Sequence, residues 1–286
     1  VDVRLVDLLK VLELEPLEVN LFRGESRDIG SPQVFGGQVL GQALVAAYKT
    51  LEEGRGDCHS LHAYFLRRGD FNAPIVYQVD RSRDGHSFST RNVTAIQHGQ
   101  QIFTLAASFQ VAEEGLEHAA TMPEVPPPEA LAPYLAEADE RILTLPEPVR
   151  RFLAHSRPFE FRPVQPMRFV DPQPSAPVKQ VWFKAVDRVP SDDLQLHRCL
   201  LAYVSDYNLL DAALRPHGVP FMRLQLASID HAMWFHRPCR VDDWLLYAVD
   251  SPSASGSRGF SRGSIYTRNG VLIASTAQEG LMRLRS

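Results

Sequence analysis

Phe35-Gly-Gly-Gln-Val-Leu-Gly-Gln-Ala-Leu-Val-Ala-Ala-Tyr-Lys49 is the stretch on which the fold turns. Its interior is rich in Ala and Leu at helical spacing, with charge only at the C-terminal end, where the helix dipole favours Lys49. This reads as a buried helix. Gly36, Gly37 and Gly41, at its start, let a backbone or a ligand approach closely. Strand patterns follow. His59 to Leu66 alternates in part, Ile75-Val-Tyr-Gln-Val79 is a short apolar run, and Ser87 to Gln97 alternates before the long run Gln101 to Val111. His98-Gly99 is a turn signal, so its flanking strands read as a hairpin. Upstream, residues 3 to 14 carry an amphipathic helical pattern, and a strand is expected near Asn20–Gly24.

The same order then returns. Lys179-Gln-Val-Trp-Phe-Lys184 reads as a strand, and Asp193 to Leu214 reads mainly as a helix with Asp206 partway along. Strands are expected over Leu224–Arg237, Trp244–Val249, Gly259–Thr267 and Val271–Leu284, the last two joined by an Asn269-Gly270 hairpin turn. Tyr64-Phe-Leu-Arg67 falls opposite Trp234-Phe-His-Arg237, Ile75–Asp80 opposite Leu245–Asp250, and His98-Gly99 opposite Asn269-Gly270. The offset stays at about 170 residues, which marks an internal duplication. A helix followed by an antiparallel sheet, twice, is an α+β architecture in which each sheet covers its helix. Two such halves pair naturally edge to edge into one larger sheet.

Between them, thirteen of the 21 prolines fall between Pro123 and Pro177. Proline fixes φ and removes a donor, so most of this span is excluded from a ladder. It is also too long for a bare loop inside one domain. The expected division is an N-terminal domain over 1–112, a Pro-rich linker over 113–178 with helical stretches near 129–154, and a C-terminal domain over 179–286.

Composition narrows the function. With 286 residues, 44% hydrophobic and 22% charged, the chain has an ordinary globular make-up and length enough for two domains. The net charge of −4 and scattered basic residues leave no electrostatic footprint for nucleic acid. No run approaches the length of a membrane span, and the acid-bearing N-terminal helix lacks the apolar core of a secretory signal. Cys58, Cys199 and Cys239 are odd in number and far apart, which fits a reducing compartment. The tail Leu284-Arg-Ser286 does not match Ser-Lys-Leu, so cytoplasm is expected over a peroxisomal matrix.

Polar residues in apolar settings are the candidates for chemistry. Asp206 lies in an apolar helical run, Ser228 in the strand Leu226–Arg237, and Gln278 near the end of the last strand. A carboxylate, a hydroxyl and an amide from three elements can together hold one water molecule. Each alone also reads as a satisfied core polar. Asp230-His231 suggests a dyad suited to a hydratase, although strand alternation turns one of the two away for a structural role. His59-x-x-His62 and His231-x₄-His236 have no third ligand nearby in sequence, and on a regular strand His59 and His62 face opposite ways, so no metal is expected. Gly259-Phe-Ser-Arg-Gly263 has the letters of a nucleophile elbow, but that motif needs a strand-to-helix turn and here a strand continues. The Arg-Gly-Asp tripeptides at 55–57 and 68–70 read as chance turns.

Val34-Phe-Gly-Gly-Gln-Val39, His62-Ala-Tyr-Phe-Leu-Arg67, Arg83-Asp-Gly-His-Ser-Phe88, Ile229–Pro238 and Ser275-Thr-Ala-Gln-Glu-Gly280 together resemble the acyl-CoA thioesterase II family, and the likeness runs from about residue 8 to 283. The resemblance implies a double hotdog fold and hydrolysis of acyl-CoA thioesters in fatty acid metabolism. It implies coenzyme A as leaving group, no metal or prosthetic cofactor, and a homodimer or homotetramer. It also implies a triad of Asp, Thr or Ser, and Gln around a nucleophilic water, which here falls on Asp206, Ser228 and Gln278, with Ser where many members carry Thr. On this reading Asp206 is the base, Ser228 and Gln278 orient the water, and backbone N–H groups receive the oxyanion. The first half, with no acid between Gly36 and Thr50, keeps packing and acyl-chain roles. A hotdog hydratase using Asp230 and His231, and a non-catalytic acyl-CoA-binding module, are the alternatives.

Overall fold

The computed structural model describes residues 1–134, 143–165 and 171–285. Helix α1 (Val3–Leu12) starts at Asp2, whose side chain accepts from the Arg4 N–H, and buries Leu5, Leu8, Val11 and Leu12. Strands β1 (Glu15–Glu18) and β2 (Leu21–Gly24) lead to α2 (Gly36–Tyr48), which is buried along nearly its whole length. Strands β3 (Asp57–Phe65), β4 (Ile75–Asp84), β5 (Phe88–Gln97) and β6 (Gln100–Gln110) curl around it. Then come α3 (Glu147–Ala154), β7 (Phe159–Pro163), β8 (Val178–Ala185), α4 (Leu194–Ser205) and α5 (Asp211–Leu214). The last strands are β9 (Leu224–Ser228), β10 (Asp230–Phe235), β11 (Leu245–Ser255), β12 (Arg258–Thr267) and β13 (Leu272–Leu284). Both expected tight turns are present, with positive φ at His98, Gly99 and Gly270.

Among the described residues these strands form one antiparallel sheet in the order β1-β2-β4-β5-β6-β3-β10-β13-β12-β11-β8-β7, with β9 beside β13. The halves join edge to edge as expected, at β3 and β10, where Asp230 faces Tyr64 and Trp234 faces Ser60. The fold is the double hotdog. Its two central helices touch almost backbone to backbone. A Cβ on Gly37 would sit 2.1 Å from the Tyr203 carbonyl oxygen, and one on Gly41 would sit 3.3 Å from that of Cys199. Residues four apart share a helix face, so these glycines form the flat strip on which α4 rests.

Three features depart from the sequence expectation. The helix expected over 193–214 ends at Ser205: Asp206 caps α4, Asn208 adopts φ 69°, and α5 starts at Asp211. The buried ammonium of Lys179 on β8 holds this break together, donating to Asn208 Oδ1 at 2.8 Å and pairing with Asp211. The expected strand 224–237 divides at Ile229. Ser228 faces Gly280 and Ala232 faces Ala277, so four steps along β9–β10 match three along β13, which is a β-bulge. Lastly, the Pro-rich span contributes a strand, β7, to the sheet edge beside β8. Phe159 and Phe161 alternate inward, and Pro163 sits at the strand's end, where its missing donor costs little. Upstream, the same span straps the convex face: Trp182 Nε1 donates to the Pro126 carbonyl at 2.9 Å, and Met122, Val125 and Leu131 cover Trp182, Leu246 and Tyr266. Of the helical stretches expected near 129–154, a 3₁₀ turn at Pro128–Ala130 and α3 are present, while 135–142 lies outside the described residues. Among the described residues no helix is long and apolar enough to cross a membrane.

Candidate active site

The break at the end of α4 delivers the Asp206 carboxyl to the N-terminus of α2. That helix has no side-chain cap of its own at Phe35, unlike α1 and α4, which are capped by Asp2 and Asp193. The Gly37 N–H is directed at the Asp206 carboxylate and holds its pKa down, and a Cβ on Gly36 would lie 2.6 Å from its Oδ2. An acid from the second half therefore sits at the open, positively polarised helix end of the first. Sequence reading confined the chemistry to the second half and missed this contact. Only the glycine pair hinted at it.

From Asp206 a single file of hydrogen bonds runs inward. Ser228 Oγ donates to Asp206 Oδ1 at 3.4 Å, and Gln278 Nε2 donates to Ser228 Oγ at 3.0 Å. The three residues singled out in the sequence thus meet. Beyond them, His231 Nδ1 lies 2.7 Å from Gln278 Oε1, and His231 Nε2 lies 2.9 Å from Ser205 Oγ. Tyr247 steadies the end of α4 by donating to the Ser205 carbonyl at 3.0 Å. Burial is graded along the file: Asp206 and Ser228 keep some exposed surface, whereas Gln278, His231 and Ser205 are buried. Water can reach the front of the file and not the back.

The bulge at Ile229 makes this alignment possible. Strict alternation sends residues three apart to opposite faces. The extra residue restores Ser228 and His231 to the same face, toward Gln278. Asp230 is turned elsewhere and accepts the Glu279 N–H at 2.7 Å, so Asp230 and His231 do not form a dyad.

Although Asp206 keeps some exposed surface, protein atoms crowd its carboxyl, and this burial raises its pKa above the ordinary carboxylate value. The neighbouring His231, the Gly37 N–H and the Ser228 hydroxyl offset part of that rise. Burial likewise lowers the pKa of the His231 imidazole, which favours the neutral ring. Behind the 206–211 turn lies a cavity of about 500 Å³, walled by Tyr207, Asn208, Leu153, Phe161, Lys179 and Phe221 among others.

The remaining candidates lie outside this arrangement. A bulge between Cys58 and Ser60 resets the alternation of β3, so His59 and His62 do not face opposite ways. His59 bonds Ser108 at 2.8 Å and His62 packs edge-on against Trp234, both on the convex face. His236 bonds Ser275 at 2.8 Å. Among the described residues no three His, Cys, Asp or Glu side chains are grouped to hold a metal. Ser261 faces Gln278 from β12, fully buried, with its hydroxyl unpartnered. Its flanking glycines serve packing: a Cβ on Gly259 would meet Ala213, and one on Gly263 would meet Tyr247 and Thr276.

Comparison with known proteins agrees with this picture. The profile described as Acyl-CoA thioesterase matches residues 150–281, and that of the Acyl-CoA thioesterase N-terminal domain matches 23–110. Human acyl-coenzyme A thioesterase 8 is 42% identical, over 99% of this chain and 91% of its own. This chain belongs to the acyl-CoA thioesterase II family. Acyl-CoA thioesterase 2 of Haemophilus influenzae is 44% identical over 97% of each chain. The crystal structure of the acyl-CoA thioesterase II TesB2 from Mycobacterium marinum superposes with a TM-score of 0.80 at 43% identity, covering 98% of this chain and 99% of that one. The family likeness thus spans both halves and the segment that joins them.

Proposed function

We propose that this protein hydrolyses fatty acyl-CoA thioesters to free fatty acid and coenzyme A by direct attack of water. The observation that carries the proposal is the accessible pair Asp206 and Ser228 at the front of a buried, hydrogen-bonded file ending in an amide. A carboxylate whose proton affinity is raised by burial is a better base near neutral pH than an exposed one. Asp206 takes a proton as the water oxygen attacks the thioester carbonyl carbon. Ser228 and Gln278 orient that water, each being able to donate and accept. At the start of α2 the Gly36 N–H is the candidate donor for the developing oxyanion, since those of Gln38 and Val39 bond the Phe35 carbonyl and that of Gly37 is directed at Asp206. On collapse the C–S bond breaks, the sulfur leaves with the electron pair, and the proton held by Asp206 passes to it. The cavity behind Tyr207 is a candidate for the acyl chain.

The hydratase reading is less supported, because Asp230 is engaged by a backbone N–H and His231 is buried. Following the family likeness, we also propose a homodimer or homotetramer in the cytoplasm; sedimentation as a monomer would remove the oligomer from the proposal. The deciding experiment follows free thiol released from an acyl-CoA chain-length series by wild type and Asp206→Asn. Asn keeps an acceptor for Gly37 but is no base, so kcat is expected to fall on the order of 10²-fold or more. Equal turnover by both would remove Asp206 as base. Ligand-induced thermal stabilisation with no thiol from any chain length would favour the binding module instead.

A further inference from the structure

We infer that His231 is a positioning residue for the reaction, acting through Gln278 by fixing which way its amide points. This rests on the thioesterase reading of Asp206, Ser228 and Gln278. His231 is 1% exposed, so it has no route to a substrate. Its Nδ1 lies 2.7 Å from Gln278 Oε1, and an amide oxygen only accepts, so Nδ1 carries the hydrogen. That pins Oε1 inward and leaves the amide NH₂ facing Ser228 Oγ, 3.0 Å away. With its lone pair taken by Gln278, Ser228 has its own hydrogen free for Asp206. At the far end Ser205 Oγ stands 2.9 Å from Nε2 and also 2.9 Å from the Ala202 carbonyl oxygen, and with hydrogen on Nδ1 the one serine hydrogen turns from that carbonyl to Nε2.

From Nδ1 onward every bond in the file therefore has one direction, toward the carboxylate, which can only accept. Without the hydrogen on Nδ1, the Gln278 amide is free to turn over and offer its oxygen to Ser228. The serine then has two competing acceptors, and the water loses a donor held in place. In the sequence His231 stands out as a partner of Asp230 or, with His236, as half of a metal pair. The geometry gives it a different partner and a different role.

The test compares His231→Asn, His231→Gln and His231→Leu by steady-state thiol release, each confirmed folded by its melting curve. An asparagine amide nitrogen occupies the place of Nδ1 and keeps the donor to Gln278, whereas a glutamine nitrogen reaches the place of Nε2 and keeps only the Ser205 contact. The Gln and Leu variants are expected to lose kcat on the order of 10- to 100-fold with KM nearly unchanged, and the Asn variant to retain roughly tenfold more than either. In a Gln278→Ala background, His231→Gln is expected to cost nothing further, because its route is gone. Equal losses in the Asn and Gln variants, or additive losses in the double variant, would overturn the inference. Nitrogen NMR of the wild type supplies a readout independent of turnover: hydrogen on Nδ1 is required, and hydrogen on Nε2 alone overturns it. A wild type that releases no thiol defeats the thioesterase reading, and a fully active Gln278→Ala defeats the role of Gln278; either removes the catalytic half of the inference, while the NMR result still decides the orientation of the amide.

Discussion

Gly37→Ala is the substitution whose outcome follows most directly from the geometry. The new Cβ would lie 2.1 Å from the Tyr203 carbonyl oxygen and 2.4 Å from Cε1 of Phe35. Carbon–oxygen contacts settle at about 3.3–3.6 Å, so α2 and α4 must part by about 1 Å at their crossing. The Phe35 ring is able to swing aside, but the Tyr203 carbonyl belongs to the α4 backbone and cannot. Overpacking of this kind costs about 1–3 kcal/mol, and a backbone obstacle puts this case at the upper end. The better helix propensity of Ala returns at most about 1 kcal/mol. A net loss of about 2 kcal/mol corresponds to a melting temperature lowered by roughly 4–8 °C in a protein of this size class. Scanning fluorimetry beside Gly41→Ala supplies the scale, since a Cβ there meets the Cys199 oxygen at 3.3 Å and the flexible end of Leu12 at 3.0 Å, and is expected to cost less. Separation of the helices also draws the Gly37 N–H from Asp206, so kcat is expected to fall with stability. A Gly37→Ala protein melting at or above wild type, or below which Gly41→Ala falls, would refute the close helix crossing.

Other outcomes follow from the same site. Burial raises the folded-state pKa of Asp206, so between the unfolded and folded values the native state binds more protons and stability falls as pH rises. Asp206→Asn is therefore expected to melt higher than wild type at neutral pH, with the gap closing on acidification below the ordinary carboxylate range; a gap that widens in acid would contradict the shift. Ser228→Thr keeps the hydroxyl at a partly exposed strand end and is expected to hold kcat within the same order of magnitude, as read by thiol release. Ser261→Ala removes a buried hydroxyl with no partner and is expected to leave turnover intact while matching or slightly exceeding wild-type stability. Loss of turnover in that variant would reopen the Gly-x-Ser-x-Gly reading.

Much of the framework was legible in the chain. The uncharged, Ala- and Leu-rich interior of Gly36–Tyr48 marks a buried helix, the period of two marks the strands, and His98-Gly99 and Asn269-Gly270 mark the hairpins, because each pattern is set by neighbours in sequence. The repeat at about 170 residues then requires two like units, and two sheets with matching free edges join. The polar residues Asp206, Ser228 and Gln278 stood out because uncommitted polar groups are costly in apolar surroundings.

Tertiary structure decided how those residues act together. Asp206 read as a residue within a helix, yet it ends one, because Lys179 on a distant strand secures Asn208 and Asp211 beyond it. Ser228 and His231 are three apart and by alternation would face opposite ways; the bulge at Ile229, defined only by the pairing with β13, brings both to Gln278. Asp206 also lies against the N-terminus of a helix of the other half, at Gly36 and Gly37. Periodicity reports which face of an element is buried, but not which atoms meet across that face. Those meetings depend on register, bulges and helix ends, which are settled by contacts between residues far apart in the chain.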